Sequence, residues 1–260
     1  TITPADFTIS VNEKDLTVSA ENVEKVYDSN AYGVEASASV TGATILYKDA
    51  DGEYTLSESP AFSEVGNYTV EFQASLYGYT TATGSATVTI SKRPVTITAA
   101  DSGKTYGEND PAFENAEMAG QVEGQLTDID LSVTRSNATV NTAGTYEGVL
   151  NIGQTKAELE AAYTNYEFTV TPGTFTITAN DEGLSVEGQT KSQVYNGQAL
   201  VGEGSGTADD GSEVTIKYAV KSGEGEEATW SEWSESAPSI TDVGTLTYKV
   251  QASNPNYVTV

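Results

Sequence analysis

Apolar residues alternate with threonine, serine and charged residues along most of this chain, and that alternation predicts strands. The clearest run is 66–74, where Tyr68, Val70, Phe72 and Ala74 fall on one side and Thr69, Glu71 and Gln73 on the other. Shorter runs of the same kind occupy 16–20, 25–28, 34–40, 43–49, 54–56 and 85–90, with Asp51-Gly52 as a hairpin turn signal between two of them. Seven short strands separated by turns every 8–12 residues or so predict an immunoglobulin-like β-sandwich. One segment breaks the pattern. Lys-Ala-Glu-Leu-Glu-Ala-Ala-Tyr at 156–163 is rich in strong helix formers and predicts a short helix.

The pattern repeats. Thr-Ile-Thr-Pro-Ala-Asp-Phe-Thr-Ile-Ser at 1–10 matches Thr-Val-Thr-Pro-Gly-Thr-Phe-Thr-Ile-Thr at 169–178, and the register holds through Val26-Tyr27 and Val194-Tyr195. A middle copy carries Tyr106, so tyrosines 27, 106 and 195 recur at spacings of 79 and 89 residues. A period of this size marks an array of similar modules. The expected layout has residues 1–10 as the closing strand of a preceding repeat or the first strand of module one. Modules one, two and three follow at 11–91, 92–178 and 179–260. Module three ends before its own equivalent of the strand at 85–90, so either the repeating unit starts with that strand or module three has an open sheet edge. In the second case, residues 1–10 of one molecule are expected to pair with that edge on the next, an end-to-end self-association. Ser91-Lys92-Arg93-Pro94 and residues 178–183 are short linkers, and modules of roughly 35 Å each, from strands of about ten residues, would stack into an elongated array.

Val65-Gly66-Asn67-Tyr68 places a tyrosine at the start of the sixth strand, where many sandwiches have a tyrosine corner. Ala143-Gly144-Thr145-Tyr146 repeats it, and Val243-Gly244-Thr245-Leu246 keeps the turn without the hydroxyl.

Composition narrows the function classes. With 38 acidic and 12 basic residues the formal charge is −26, which repels nucleic acid and an anionic membrane surface. No stretch is long and apolar enough for membrane insertion. The chain has no cysteine and no histidine, so disulfide staples, thiolate chemistry and the commonest zinc ligands are absent. An all-β array without cysteine points to a bacterial rather than an animal extracellular protein. No nucleophile–base pattern can be assembled from these residues, and close carboxylates are inevitable among so many. The chain is read as no enzyme.

Further motifs carry a resemblance. Tyr106-Gly107 with Asp110-Pro111, then Gly144-Thr145-Tyr146, Asn165-Tyr166 and Gly173-Thr174-Phe175-Thr176-Ile177 resemble the MBG-type repeats of bacterial surface proteins. Val26-Tyr27-Asp28 and Val194-Tyr195-Asn196-Gly197 resemble the related YDG-type repeats, although Ser29 stands where module one should have the glycine. The resemblance implies an all-β chain of three tandem immunoglobulin-like sandwiches, with a β-grasp-like fold carrying one short helix as the alternative for module two. It also implies a cell-surface or cell-wall location on a bacterium.

Candidate ligand residues are few. Trp230-Ser231-Glu232-Trp233-Ser234 matches the signature of haematopoietic cytokine receptors, but it precedes the sixth strand here and module three has no arginine to stack on it. It is read as coincidence, with the indoles anchoring a hairpin. Were the modules adhesive, Trp230, Trp233, Tyr77 and Tyr79 would stack against the sugar rings of a host glycan or mucin, or contact a matrix protein. Asp49, Asp51 and Glu53 resemble the opening of a calcium loop but lack its closing glutamate, so a hairpin turn is the simpler reading and Ca2+ is not required. Lys25 and Lys104 occupy equivalent positions from which a lysine–asparagine crosslink could form, whereas the third copy has Gln193. The expected function is a stalk or adhesive repeat segment of a large surface protein, with a glycan-binding module, a strand-complemented filament subunit and an appendage of a secreted carbohydrate-active enzyme as alternatives.

Overall fold

The computed structural model describes residues 5–8 and 15–260. Residues 5–8 form no strand and Phe7 is exposed. The expected pairing of residues 1–10 lies otherwise outside the described residues.

Among the described residues the chain is all-β apart from one short helix and a single helical turn. Strands β1 (Val18–Ala20), β2 (Val23–Val26), β3 (Ala36–Ala38), β4 (Thr44–Lys48), β5 (Tyr54–Leu56), β6 (Gly66–Ser75) and β7 (Ala82–Ser91) come first. Next are β8 (Arg93–Thr98), β9 (Ser102–Thr105), β10 (Glu117–Ala119), β11 (Val133–Arg135), β12 (Gly144–Ile152), helix α1 (Lys156–Ala162), β13 (Tyr166–Thr171) and β14 (Gly173–Thr178). The last stretch holds β15 (Leu184–Gln189), β16 (Leu200–Val201), β17 (Glu203–Ala208), β18 (Thr215–Ser222), β19 (Thr229–Trp230), β20 (Ser239–Ile240) and β21 (Tyr248–Ser253).

Contacts divide the chain into two compact units. The first comprises residues up to 98 with 116–131 and 153–171, and the second comprises 99–115, 132–152 and 172–260.

In the first unit, five strands pair in the order β2-β7-β6-β4-β5. The alternation read from the sequence is what the sheet uses: Val70, Phe72 and Ala74 of β6 and Ala86, Val88 and Ile90 of β7 are all buried. β7 lies antiparallel to β6 and parallel to β2. Tyr47 of β4 packs edge-on against Phe72, and its hydroxyl accepts the Ala36 N–H at 3.0 Å. The tyrosine corner forms as expected, with Tyr68 Oη donating to the Glu64 carbonyl at 3.0 Å. Gly66 is required there, because a Cβ would come within 2.7 Å of the Tyr68 ring. A second sheet, β10-β8-β13, has β13 parallel to β8.

Helix α1 sits where the sequence placed it. Thr155 caps it in a reciprocal box: Glu158 Oε2 accepts from Thr155 N and Oγ1 at 2.8 Å each, and Thr155 Oγ1 accepts from Glu158 N at 3.3 Å. Its one buried side chain is Leu159.

In the second unit, β11-β12-β14-β9 form one sheet, with β14 antiparallel to β12 and parallel to β9. This repeats the lane that β7 occupies between β6 and β2. The second tyrosine corner also forms, with Tyr146 Oη donating to the Thr142 carbonyl at 2.7 Å. Residues 169–177 echo one continuous strand in the sequence but are split at Pro172, which has no N–H for a ladder, so β13 and β14 join different sheets. The remaining strands pair as β15-β17, β16-β20 and β19-β18-β21.

Ser29, in place of the expected glycine, does not change its turn. It adopts φ 67°, close to the 75° of Gly197 in the third copy. Asp28 supports it by accepting from the Asn30 N–H at 3.0 Å and from Tyr32 Oη at 2.5 Å, which holds the Asp28 carboxyl below its ordinary range.

Candidate functional site: junction tyrosines and a tryptophan clamp

Two of the three recurring tyrosines, Tyr27 and Tyr106, are packing residues, whereas Tyr195 is exposed. In the first unit, Tyr27 meets Tyr166 edge-to-face at 5.4 Å, and Gln125 Oε1 accepts from both hydroxyls, at 3.3 and 2.5 Å. Burial raises the Tyr166 pKa, consistent with a phenol that stays neutral. In the second unit, Tyr106 meets Tyr257 in the same way, at 5.4 Å and 73° against 76°.

The surrounding hydrogen bonds repeat as well. Tyr27 N–H donates to the Ser91 carbonyl and Tyr106 N–H to the Thr178 carbonyl, capping β7 and β14. Two residues further on, Arg93 N–H donates to the Asn165 carbonyl and Asn180 N–H to the Asn256 carbonyl. The asparagine side chains then accept the amide just before each tyrosine-corner glycine: Asn165 Oδ1 from Val65 N at 3.1 Å, and Asn256 Oδ1 from Ala143 N at 2.9 Å. The dipeptides Asn165-Tyr166 and Asn256-Tyr257 carry both junctions, and their recurrence is the sequence signal for them.

Asp210 adds a charge to the second junction. Its carboxylate accepts from Ser212 and from Tyr106 Oη, the latter at 2.6 Å, and these bonds hold its pKa at about 2 rather than 3.8. A carboxyl depressed in the folded state contributes stability above its unfolded value, and that contribution is lost as pH falls from 3.8 through about 2. Asp210→Asn is therefore expected to flatten the fall in thermal midpoint across this window. An unchanged slope would show that Asp210 does not couple to folding.

Residues of the MBG-like stretch build a second cluster. Asp110, of Tyr106-Gly107-x-x-Asp110-Pro111, receives Lys104 Nζ at 2.9 Å and Arg135 Nε at 3.1 Å. The Arg135 guanidinium lies 4.4 Å over the Phe175 ring, and its Nη2 donates to the Ala138 and Val140 carbonyls. Lys104 Nζ also donates to Asn141 Oδ1 at 2.8 Å. The ammonium is thus held by a carboxylate and an amide oxygen, and Asn141 is solvent-exposed. The arrangement is an ion-pair network rather than one poised for lysine attack on asparagine. Lys25, the equivalent lysine, instead lies 5.1 Å over the Tyr32 ring.

Of the four candidate ligand residues, the structure brings two together. Trp230 and Trp233 clamp Lys249 Nζ, which lies 4.8 Å from each ring. The segment from Trp230 to Ser234 runs along β18: Trp230 pairs with Lys221, Val220 N–H donates to Ser231 Oγ at 3.0 Å, and Ser234 exchanges backbone hydrogen bonds with Tyr218. The sequence reading found no arginine for these indoles, but a lysine on β21 supplies the cation. Both rings remain partly open, at 43% and 38%. As these are the only tryptophans in the chain, Lys249→Gln should change the emission spectrum and cost about 0.5–1 kcal/mol in chemical unfolding. Identical spectra would mean the clamp is not formed in solution.

Tyr77 and Tyr79 lie in the first unit, in the turn between β6 and β7, with Tyr77 exposed and Tyr79 half-buried. The Asp49 carboxylate is used by its own hairpin. It accepts from the N–H groups of Asp51 and Glu53 at 3.0 and 2.9 Å and from Thr55 Oγ1 at 2.5 Å, and these bonds lower its pKa, that from Thr55 most. Among the described residues no group of three or more acidic side chains is arranged to hold a metal ion.

Residues 95–176 match the family model of the MBG domain (YGX type). No curated protein matches the chain. Two solved structures align over most of it. One is the extracellular cadherin domains 1–4 of protocadherin gamma B7, at 10% identity over 94% of this chain and 74% of that one, with a TM-score of 0.28. The other is the human desmocollin-1 ectodomain, at 12% identity over 95% and 60%, with a TM-score of 0.26. Scores this low carry no weight for function. Among the described residues no helix is long and apolar enough to cross a membrane.

Proposed function

We propose that this chain is a non-catalytic structural segment of a large bacterial cell-surface protein, in which tandem β-modules hold a binding region away from the cell. The observation that carries the reading is the repeated junction. Two contacts, each in its own unit, use the same tyrosine pair, the same asparagine and the same two backbone hydrogen bonds. Repetition of a joint, rather than of a pocket, is what a spacer needs. The MBG domain at 95–176 and the strongly acidic surface agree with an extracellular setting.

The reading predicts that breaking a junction uncouples unfolding on its two sides. In calorimetry of the whole chain, Tyr106→Ala combined with Asn256→Ala should separate transitions that coincide in the wild type. Transitions that are already separate in the wild type, and do not move in the variant, would show that the joint transmits nothing.

The tryptophan clamp favours a second reading, in which the modules themselves bind a host glycan or mucin. Trp230 and Trp233 would then be contacts, and truncating them would abolish retention while the chain stays folded at the assay temperature.

A further inference from the structure

The first and third copies of the repeat share one turn and differ in its chemistry. Asp28-Ser29-Asn30 and Asn196-Gly197-Gln198 directly follow Tyr27 and Tyr195. In both, the side-chain Oδ1 of the first residue accepts the main-chain N–H two residues on, at 3.0 Å. In both, the middle residue is left-handed, at φ 67° and 75°. A carboxylate in one copy is thus an amide in the other, and a serine is a glycine.

Asn196-Gly197 is the one Asn-Gly pair in the chain, and both residues are exposed and outside any strand. Gln193 Nε2 donates to the Gln198 carbonyl at 2.9 Å, which braces the turn. No atom lies within 4 Å of the place a Gly197 Cβ would take. The geometry belongs to the turn itself. In the first copy β2 pairs with β7 immediately before the turn, and Ser29 is still exposed at nearly the same φ.

We infer that Asn196 is a site of intramolecular deamidation, through which the third copy acquires the acidic turn of the first. The Gly197 nitrogen, its proton lost to water or hydroxide, attacks Asn196 Cγ. The new N–Cγ bond closes a five-membered succinimide, the Cγ–Nδ2 bond breaks, and the amide nitrogen takes a proton and leaves as ammonia. Water then opens the ring. Addition at Cγ gives aspartate, and addition at the Asn196 main-chain carbonyl carbon gives isoaspartate. Two features of the turn favour the first step. Gln198 N–H donates to Oδ1, where negative charge develops as the nitrogen adds. Glycine has no Cβ to crowd its own nitrogen. By contrast, Asn165 and Asn256 precede tyrosines, and their Oδ1 atoms accept the Val65 and Ala143 amides.

Either product adds one negative charge. The aspartyl form restores what Asp28 shows to fit, a carboxylate accepting the N–H two residues on. The isoaspartyl form lengthens the main chain by a methylene and breaks the turn. This chemistry is local, so the calorimetric test of the junction can fail without affecting it.

The test holds the whole chain at neutral and at mildly alkaline pH and follows every asparagine by peptide mass mapping, with the peptides released in acid to arrest the reaction. Asn196 is expected to show the amide-to-acid mass change before any other asparagine, faster at the higher pH, and to yield both aspartyl and isoaspartyl peptides. Gly197→Ser gives the third copy the residue that the first carries at this position, so the turn is kept, and the reaction should slow about tenfold. An unmodified Asn196, another asparagine reacting as fast, or an equal rate in Gly197→Ser would each overturn the proposal. So would aspartate as the sole product, which marks direct hydrolysis without the ring.

Discussion

Phe175→Ala is expected to lower the unfolding free energy by about 3–5 kcal/mol, the range for truncating a fully buried aromatic side chain. Phe175 is 0% exposed at the centre of β14, the strand between β12 and β9. Phe113 packs edge-on against it at 5.9 Å, and Arg135 lies over its face. Alanine would remove the ring, open a cavity beneath a buried guanidinium and leave that charge without its aromatic partner. Urea unfolding followed by circular dichroism measures the loss. Phe7→Ala is the control: that ring is 98% exposed and its removal should change stability by less than about 0.5 kcal/mol. A loss under about 1 kcal/mol for Phe175→Ala would mean that β14 is not the packed centre of its sheet.

Asp110→Ala is expected to cost about 3 kcal/mol. The Lys104 and Arg135 side chains are 6% and 1% exposed, and both are held by this one carboxylate. Removing it leaves two buried cations facing each other, a change more damaging than losing the ion pairs themselves. Because Asp110 is 27% exposed, solvent screens part of the effect, and the cost falls short of the top of the buried-pair range. The double variant Asp110→Ala with Arg135→Met should recover part of the loss by removing one stranded charge. Equal stability of the single variant and the wild type would show that the Tyr-Gly-x-x-Asp-Pro element is held by its turn alone.

Much of the fold was legible because strands bury alternate residues. Tyr68, Val70, Phe72 and Ala74 could be assigned to one face without any structure, and β5 falls at 54–56 as read. The tyrosine corners and the capped helix followed from local chemistry, with each partner within four residues. The joints were not legible for the opposite reason. Asn165 meets Val65, and Asn256 meets Ala143, across about a hundred residues, so only the recurring Asn-Tyr dipeptide hints at them.

Lys249 was missed because its place beneath the indoles depends on how β18 registers with both β21 and the segment after β19. Module three has no arginine to stack on these indoles, and lysine fills that position. At Asp49 the hairpin turn was the simpler reading of the sequence, and the carboxylate does accept hydrogen bonds within that hairpin.

Retention of the whole chain on mucins, glycans and matrix proteins at physiological salt, with calcium and then with chelator, tests the structural reading most directly. The account predicts no saturable retention on any of them and no effect of calcium. Saturable retention on one class of ligand, lost in Trp230→Ala with Trp233→Ala although that variant stays folded at the assay temperature, would contradict it and assign the tryptophan clamp as a binding site.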